Sequence, residues 1–129
     1  MEYVEPTPEE RQRAAGAYAF WVLALPELAP AARPASAWFR AHIRQAVALG
    51  LVETAALLIV LALPAVLVGV ALALRLPVGT AATVWIYALG FVLDVAAIVL
   101  GLALNVALAA RAARGERFTI AFLPRSWAR

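Results

Sequence analysis

The sequence predicts an all-α integral membrane protein: two transmembrane helices folded into a hairpin, preceded by a weaker first membrane segment and an amphipathic interfacial helix. Two observations predict it. Of 129 residues, 65% are hydrophobic and 15% charged, whereas a soluble domain is roughly half apolar and a quarter charged. A domain of this size still exposes roughly a third of its chain surface, so water cannot be its only solvent. The second observation is where the charges fall: from Ala46 to Leu74 only Glu53 is charged, and from Leu76 to Ala110 only Asp94. Each run exceeds the ~20 residues that a helix needs to cross a hydrocarbon core of ~30 Å. A single membrane domain is expected.

The elements follow in order. Residues 1–13 are a polar leader in which Thr7 and Glu10 fit a capping box and Pro8 opens a helix, since proline lacks only an N–H that the first turn leaves unpaired anyway. Residues 14–32 form the first membrane segment, spanning or re-entrant, interrupted by Pro26, Glu27 and Pro30. The acidic leader argues against a cleaved signal peptide. Over 35–45, Trp38, Phe39, His42, Ile43 and Ala46 share one side of a helical wheel while Arg40 and Arg44 take the other. That pattern suits a helix that lies at the lipid interface or leads into the next span. Transmembrane helices are expected at 46–74 and 80–110, with Arg75, Pro77 and Gly79 in the turn between them. Gly115 is a natural helix cap. In the basic tail, 111–129, Phe118, Ile120 and Phe122 alternate as in an extended segment resting at the interface.

The net charge of +3 comes from eleven arginines and no lysine. The arginines flank the apolar runs rather than building a nucleic-acid face, so the expected partners are the lipid bilayer, with anionic head groups at the Arg-rich side, and no nucleic acid. Arg33, Arg40 and Arg44 fall on one side of the hairpin with the five arginines of the tail, against Arg75 alone from the turn. This places the tail in the cytoplasm. The absence of cysteine excludes disulfides and thiol nucleophiles. Ser36 and Ser126 are the only serines, and neither lies in a nucleophile-elbow context. With no phosphate-binding loop and no metal-ligand spacing, the expectation is no catalytic residue, no metal and no cofactor.

Ser36-Ala37-Trp38-Phe39-Arg40-Ala41-His42-Ile43-Arg44-Gln45-Ala46 resembles the S-P-F-V-R-x-H-A-[KR]-Q-A signature of small bacterial membrane proteins of unknown function. Those proteins are related to the twenty-kilodalton component of the chloroplast inner-envelope translocon, a Tic-twenty-like family. Arg114-Gly115-Glu116-Arg117-Phe118 is similar to the family's ending, a basic residue, Gly-Glu and an aromatic just past the last helix. Ala37 stands where the signature has proline. The resemblance covers roughly residues 14–123 and implies a helical protein of the bacterial cytoplasmic membrane, with translocation or channel activity proposed for the chloroplast relative.

Three polar residues interrupt the apolar runs: Glu53, Asp94 and Asn105. Gly90, Asp94, Ala97, Gly101, Asn105 and Leu108 recur at steps of three and four, a face of small residues with occasional polar ones such as membrane helices use for close packing. A hairpin turning near Pro77 opposes residues whose numbers sum to about 154, one helical step matching another. Asp94 then lies near Val60, whose carbonyl Pro64 leaves without its helical partner, and a protonated Asp94 could donate to it. The rival reading makes Glu53 and Asp94 steps of a proton or ion path.

Two functions are therefore expected. The leading one is a non-catalytic accessory or scaffold subunit that packs against itself or within a larger membrane complex through the Gly90 to Leu108 face. The alternative is a homo-oligomeric channel or translocon-like pore.

Overall fold

The computed structural model describes residues 5–29 and 35–121, and the described residues form helices and no strands. Helix α1 is Pro8–Ala19, a 3₁₀ segment follows at Trp21–Leu28, α2 is Ala37–Ala73 and α3 is Thr80–Ala113. The chain divides into two compact units, one made of residues 1–52 and 103–129 and the other of residues 53–102.

In the first unit, α1 begins as its sequence dictates. The Thr7 hydroxyl accepts from the Glu10 N–H at 3.2 Å, and the Glu10 carboxylate accepts from the Thr7 N–H at 3.1 Å, which satisfies two of the donors that a helix start leaves open. The helix ends after twelve residues, at Phe20, whose φ of −141° leaves helical space. Residues 14–32, expected as one membrane segment, are thus broken in their described part into a helical end and a 3₁₀ turn. Neither piece is long enough to cross a bilayer as a helix, since twelve α-helical residues rise only about 18 Å. Arg13 pairs with Glu27 across this break, and with the charge on Glu27 met in this way the chain can fold back on itself. The indole of Trp21 lies directly over Gly50 of α2, where any side chain would collide with it.

The expected interfacial helix at 35–45 is not a separate element. Ser36 caps α2 by accepting from the Phe39 N–H at 3.1 Å, and the helix then runs through Gln45 and Ala46 unbroken to Ala73. No proline or glycine stands near that boundary to stop it. The wheel does sort the side chains as expected, with Trp38, Phe39, His42, Ile43 and Ala46 buried and Arg40 and Arg44 exposed. What covers the face is protein rather than lipid: the core of this unit joins these residues to Ala14, Ala17 and Tyr18 of α1 and to Ile120 of the tail, with Phe118 packed against it.

Helix α3 ends in a Schellman motif. Gly115 adopts φ +74°, its N–H reaches the Ala112 carbonyl at 2.9 Å, and the Glu116 N–H reaches that of Arg111 at 3.1 Å. Glycine fits here because the left-handed conformation costs it nothing. Space points the same way, because a Cβ on Gly115 would sit 2.9 Å from Nε of Arg11. Beyond the cap, Phe118 and Ile120 turn inward while Arg117 and Thr119 turn out, a two-residue alternation. Phe122 and the rest of that expected pattern lie outside the described residues.

The second unit is a helical hairpin. Gly90 of α3 packs on the Pro64 ring, and Gly101 faces Glu53, whose Oε1 lies 3.7 Å from where a Cβ would stand. Both pairs fit the register expected for a turn at Pro77. The α2 end repeats the Schellman pattern with an arginine in the glycine position: Arg75 has φ +54°, its N–H bonds to Leu72 at 3.0 Å, and the Leu76 N–H bonds to Ala71 at 2.9 Å. Both α2 and α3 are long and apolar enough to cross a membrane, and only 6% of the most apolar window of each is buried. Large side chains such as Leu58, Phe91 and Leu100 stand exposed along them. The buried core helix of a soluble protein would show the reverse.

Candidate functional site

The side chains with the densest chemistry lie in the first unit, where α2 holds the segment that follows α3. Glu116 O accepts from Nε1 of Trp38 at 3.3 Å and from Nε2 of His42 at 3.2 Å. Gln45 makes two contacts, Nε2 donating to Phe118 O at 3.4 Å and Oε1 accepting from the Ile120 N–H at 3.3 Å. Helical and extended geometry make this pairing possible. One helical turn advances about 5.4 Å and two extended residues about 6.6 Å. Trp38 and His42, one turn apart, therefore converge on the Glu116 carbonyl, and Gln45, the next turn on, spans the two residues from Phe118 to Ile120. We refer to this arrangement as the latch.

Chemistry fixes the state of His42. A carbonyl can only accept, so Nε2 carries the proton toward Glu116, and in the neutral ring Nδ1 accepts from the Tyr18 hydroxyl at 3.1 Å. Burial pushes the Tyr18 hydroxyl above its ordinary range, outweighing the opposing charge of Arg111. It therefore stays a donor. Trp38 and Phe118 flank the imidazole at ring-centre distances of 4.2 and 4.7 Å. With one nitrogen protonated and the other accepting a hydrogen bond, the ring keeps no lone pair for a metal.

Charge surrounds the latch without entering it. The Glu116 carboxylate bonds Nε of Arg111 at 2.8 Å and Nε of Arg114 at 2.6 Å, and these two hydrogen bonds hold it well below the usual carboxylate range. The Arg111 guanidinium also lies 4.5 Å from the Phe118 ring centre, and that of Arg13 lies 4.9 Å from the Phe39 ring centre, both within cation–π reach. Burial pushes the pKa of Glu10 up, but hydrogen bonds from the Ser36 and Thr7 N–H groups and the charge of Arg13 outweigh it and leave the group below its ordinary value. The bond to Ser36 is 2.8 Å, so one carboxylate ties the start of α1 to the start of α2. Arg40 caps locally, donating to Ala35 O at 2.7 Å. A groove of about 460 Å³ runs beside the latch, lined by Ala37, Trp38, Ala41, His42, Gln45, Arg117, Phe118 and Thr119.

The two stretches singled out in the sequence, 36–46 and 114–118, thus meet in space, and the meeting accounts for their residue types. Ser36 caps, Phe39 and Ala46 fill the core, His42 and Gln45 grip the tail, Gly115 turns it, Glu116 gathers the arginines, and Phe118 meets the histidine ring edge to face. Arg44 points outward. The remaining polar residues lie apart from the latch: Glu53 and Asp94 are half-buried in the hairpin and Asn105 is half-buried in the first unit. Oδ1 of Asp94 is buried without a hydrogen-bond partner, so that atom makes no bond to the Val60 carbonyl.

The face from Gly90 to Leu108 is engaged in part within the chain. Gly90 and Gly101 pack on α2 and Leu108 belongs to the core of the first unit, while Asp94, Ala97 and Asn105 are half-buried. Sequence reasoning missed Tyr18 and the tie from Glu10 to Ser36. The signal for Tyr18 was present, since Ala14, Ala17 and Tyr18 recur at three and four residues and all three are buried. That stripe was absorbed into a supposed membrane segment.

No protein-family model, curated protein or solved structure matches the chain.

Proposed function

We propose that this chain is a non-catalytic accessory or scaffold subunit of the bacterial cytoplasmic membrane. Its hairpin sits in the bilayer, and its latched tail forms a rigid platform on the cytoplasmic side. The observation that carries this reading is the pairing of an exposed, apolar hairpin with a polar cluster in which Trp38, His42 and Gln45 spend their hydrogen bonds on the backbone of the segment after α3. A catalytic cluster aims donors and acceptors at an open position. This one closes on the chain itself. The resemblance to the translocon-related family fits a subunit that works in company, and the partner meets the outward, exposed apolar faces of the hairpin. The arginines outside the latch face anionic head groups.

Purification in mild detergent tests the proposal. Co-purification of other membrane subunits supports it. A lone oligomer that conducts ions in planar bilayers would replace it with the channel reading, which draws on the buried, unpartnered Oδ1 of Asp94. Single cysteines at Thr7, Val78 and Thr119, introduced into a chain with none of its own, test the topology: Thr119 should label from the cytoplasmic face and Val78 from the opposite one.

A further inference from the structure

We infer that the stretch from Phe20 to Leu28 is an in-plane lipid anchor, seated in the acyl boundary of one leaflet rather than across the bilayer. The inference rests on the bilayer reading above and goes beyond it. Phe20 and Leu23 are 67% and 75% exposed, and Val22, Leu25 and Leu28 stand out beside them, while Trp21 and Ala24 turn inward. Five large apolar side chains on one short segment form the kind of surface that soluble proteins avoid leaving in water. The one charge within the stretch, Glu27, is paired with Arg13, so nothing ionic stands between this surface and hydrocarbon.

Its length and its seat fix the occupant. Eight 3₁₀ residues rise only about 16 Å, too little to cross ~30 Å of hydrocarbon. Trp21 clamps the segment onto Gly50, the last buried residue of α2 before Leu51 and Val52 open outward. The segment is therefore held one helical step before Leu51 and Val52, the first large apolar side chains of α2 to stand exposed. On the other flank, α1 carries Glu9, Glu10, Arg11 and Arg13, charges suited to the head-group layer.

The test is depth-dependent quenching of a polarity-sensitive label on single-cysteine variants of the full chain, reconstituted in phosphatidylcholine–phosphatidylglycerol vesicles. Labels at Phe20→Cys and Leu23→Cys should shift to the blue, resist aqueous iodide, and be quenched more by lipids with a nitroxide near the head group than by lipids with one near the chain end. Labels at Leu58→Cys should show the opposite depth order, and those at Gln12→Cys should be quenched by iodide. Iodide access at residue 23 equal to that at residue 12, with residue 58 still deep, overturns the anchor and spares the bilayer reading. Deep quenching at 23 matching that at 58 overturns the in-plane placement, as does protection from iodide without lipid quenching, which points to a protein partner. If the label at 58 also meets water, the bilayer reading falls and takes the anchor with it.

Discussion

The two halves of α2 face different surroundings. From Trp38 to Gly50 its inward side chains are buried against α1 and the tail and include His42 and Gln45, both hydrogen-bonded. From Leu51 to Ala73 only Pro64 is buried, and the rest of that half is half-buried or exposed and almost wholly apolar. The difference shows that one continuous helix can obey two packing rules. Where water or head groups compete, burial of apolar surface and satisfied polar groups hold the fold. Where lipid is the solvent, burial gives no drive, and close contact at small residues takes over.

Four substitutions and one titration sharpen that contrast. The largest effect is expected from His42→Ala, which removes two hydrogen bonds and strands the Tyr18 hydroxyl. At 1–3 kcal/mol per orphaned group, it should destabilise the latch by about 3 kcal/mol, read as faster trypsin cleavage after Arg117, with the hairpin intact. Next comes Gly90→Leu, which forces a side chain into the Pro64 ring and should cost the hairpin about 2 kcal/mol through overpacking, read as a lower unfolding midpoint in detergent with the tail still protected. If either substitution loosens both regions equally, the two halves of α2 do not follow separate rules. Arg75→Gly should stabilise the turn by about 1 kcal/mol, because only the arginine Cβ opposes its left-handed backbone. Gly69→Ala meets open space within a helix and should gain about 0.5 kcal/mol from backbone entropy.

The smallest effect is the titration. The Glu10 carboxylate lies below its ordinary value, so the tie it makes to Ser36 is complete above the ordinary carboxylate range. The tie is lost as pH falls through the depressed folded value. Protection of the amides at the start of α1, taken relative to intrinsic exchange at each pH, should therefore fall as pH drops below the ordinary carboxylate range in the native chain and stay flat in Glu10→Gln. A flat native profile would show that the carboxylate does not join the two helix starts.

What the sequence made legible was local or periodic. The capping box at Thr7, the cap at Gly115, the sorting of aromatics from arginines around α2 and the hairpin register each depend on residues a few positions apart or on a fixed helical step, so the pattern alone contains them. The helix break at Phe20 was not legible, because no glycine or proline marks it and the run from Ala17 to Leu25 stays apolar. The role of His42 was half legible. Its burial side could be read from the wheel, but its partners sit 24 and 74 residues away.

By itself, then, the sequence determined an all-helical chain with two helices apolar and long enough for a membrane, where the turn between them falls, and how they are registered against each other. These properties follow from side-chain period and cap chemistry, which act within a turn or two of helix. Only the tertiary structure decided which surface covers the aromatic face of α2, that the stretches 36–46 and 114–118 meet through backbone carbonyls, and that Leu108 joins the core of the first unit. Each of those outcomes depends on groups far apart in sequence, and an apolar face looks the same from sequence whether lipid, a partner or the protein's own tail comes to cover it.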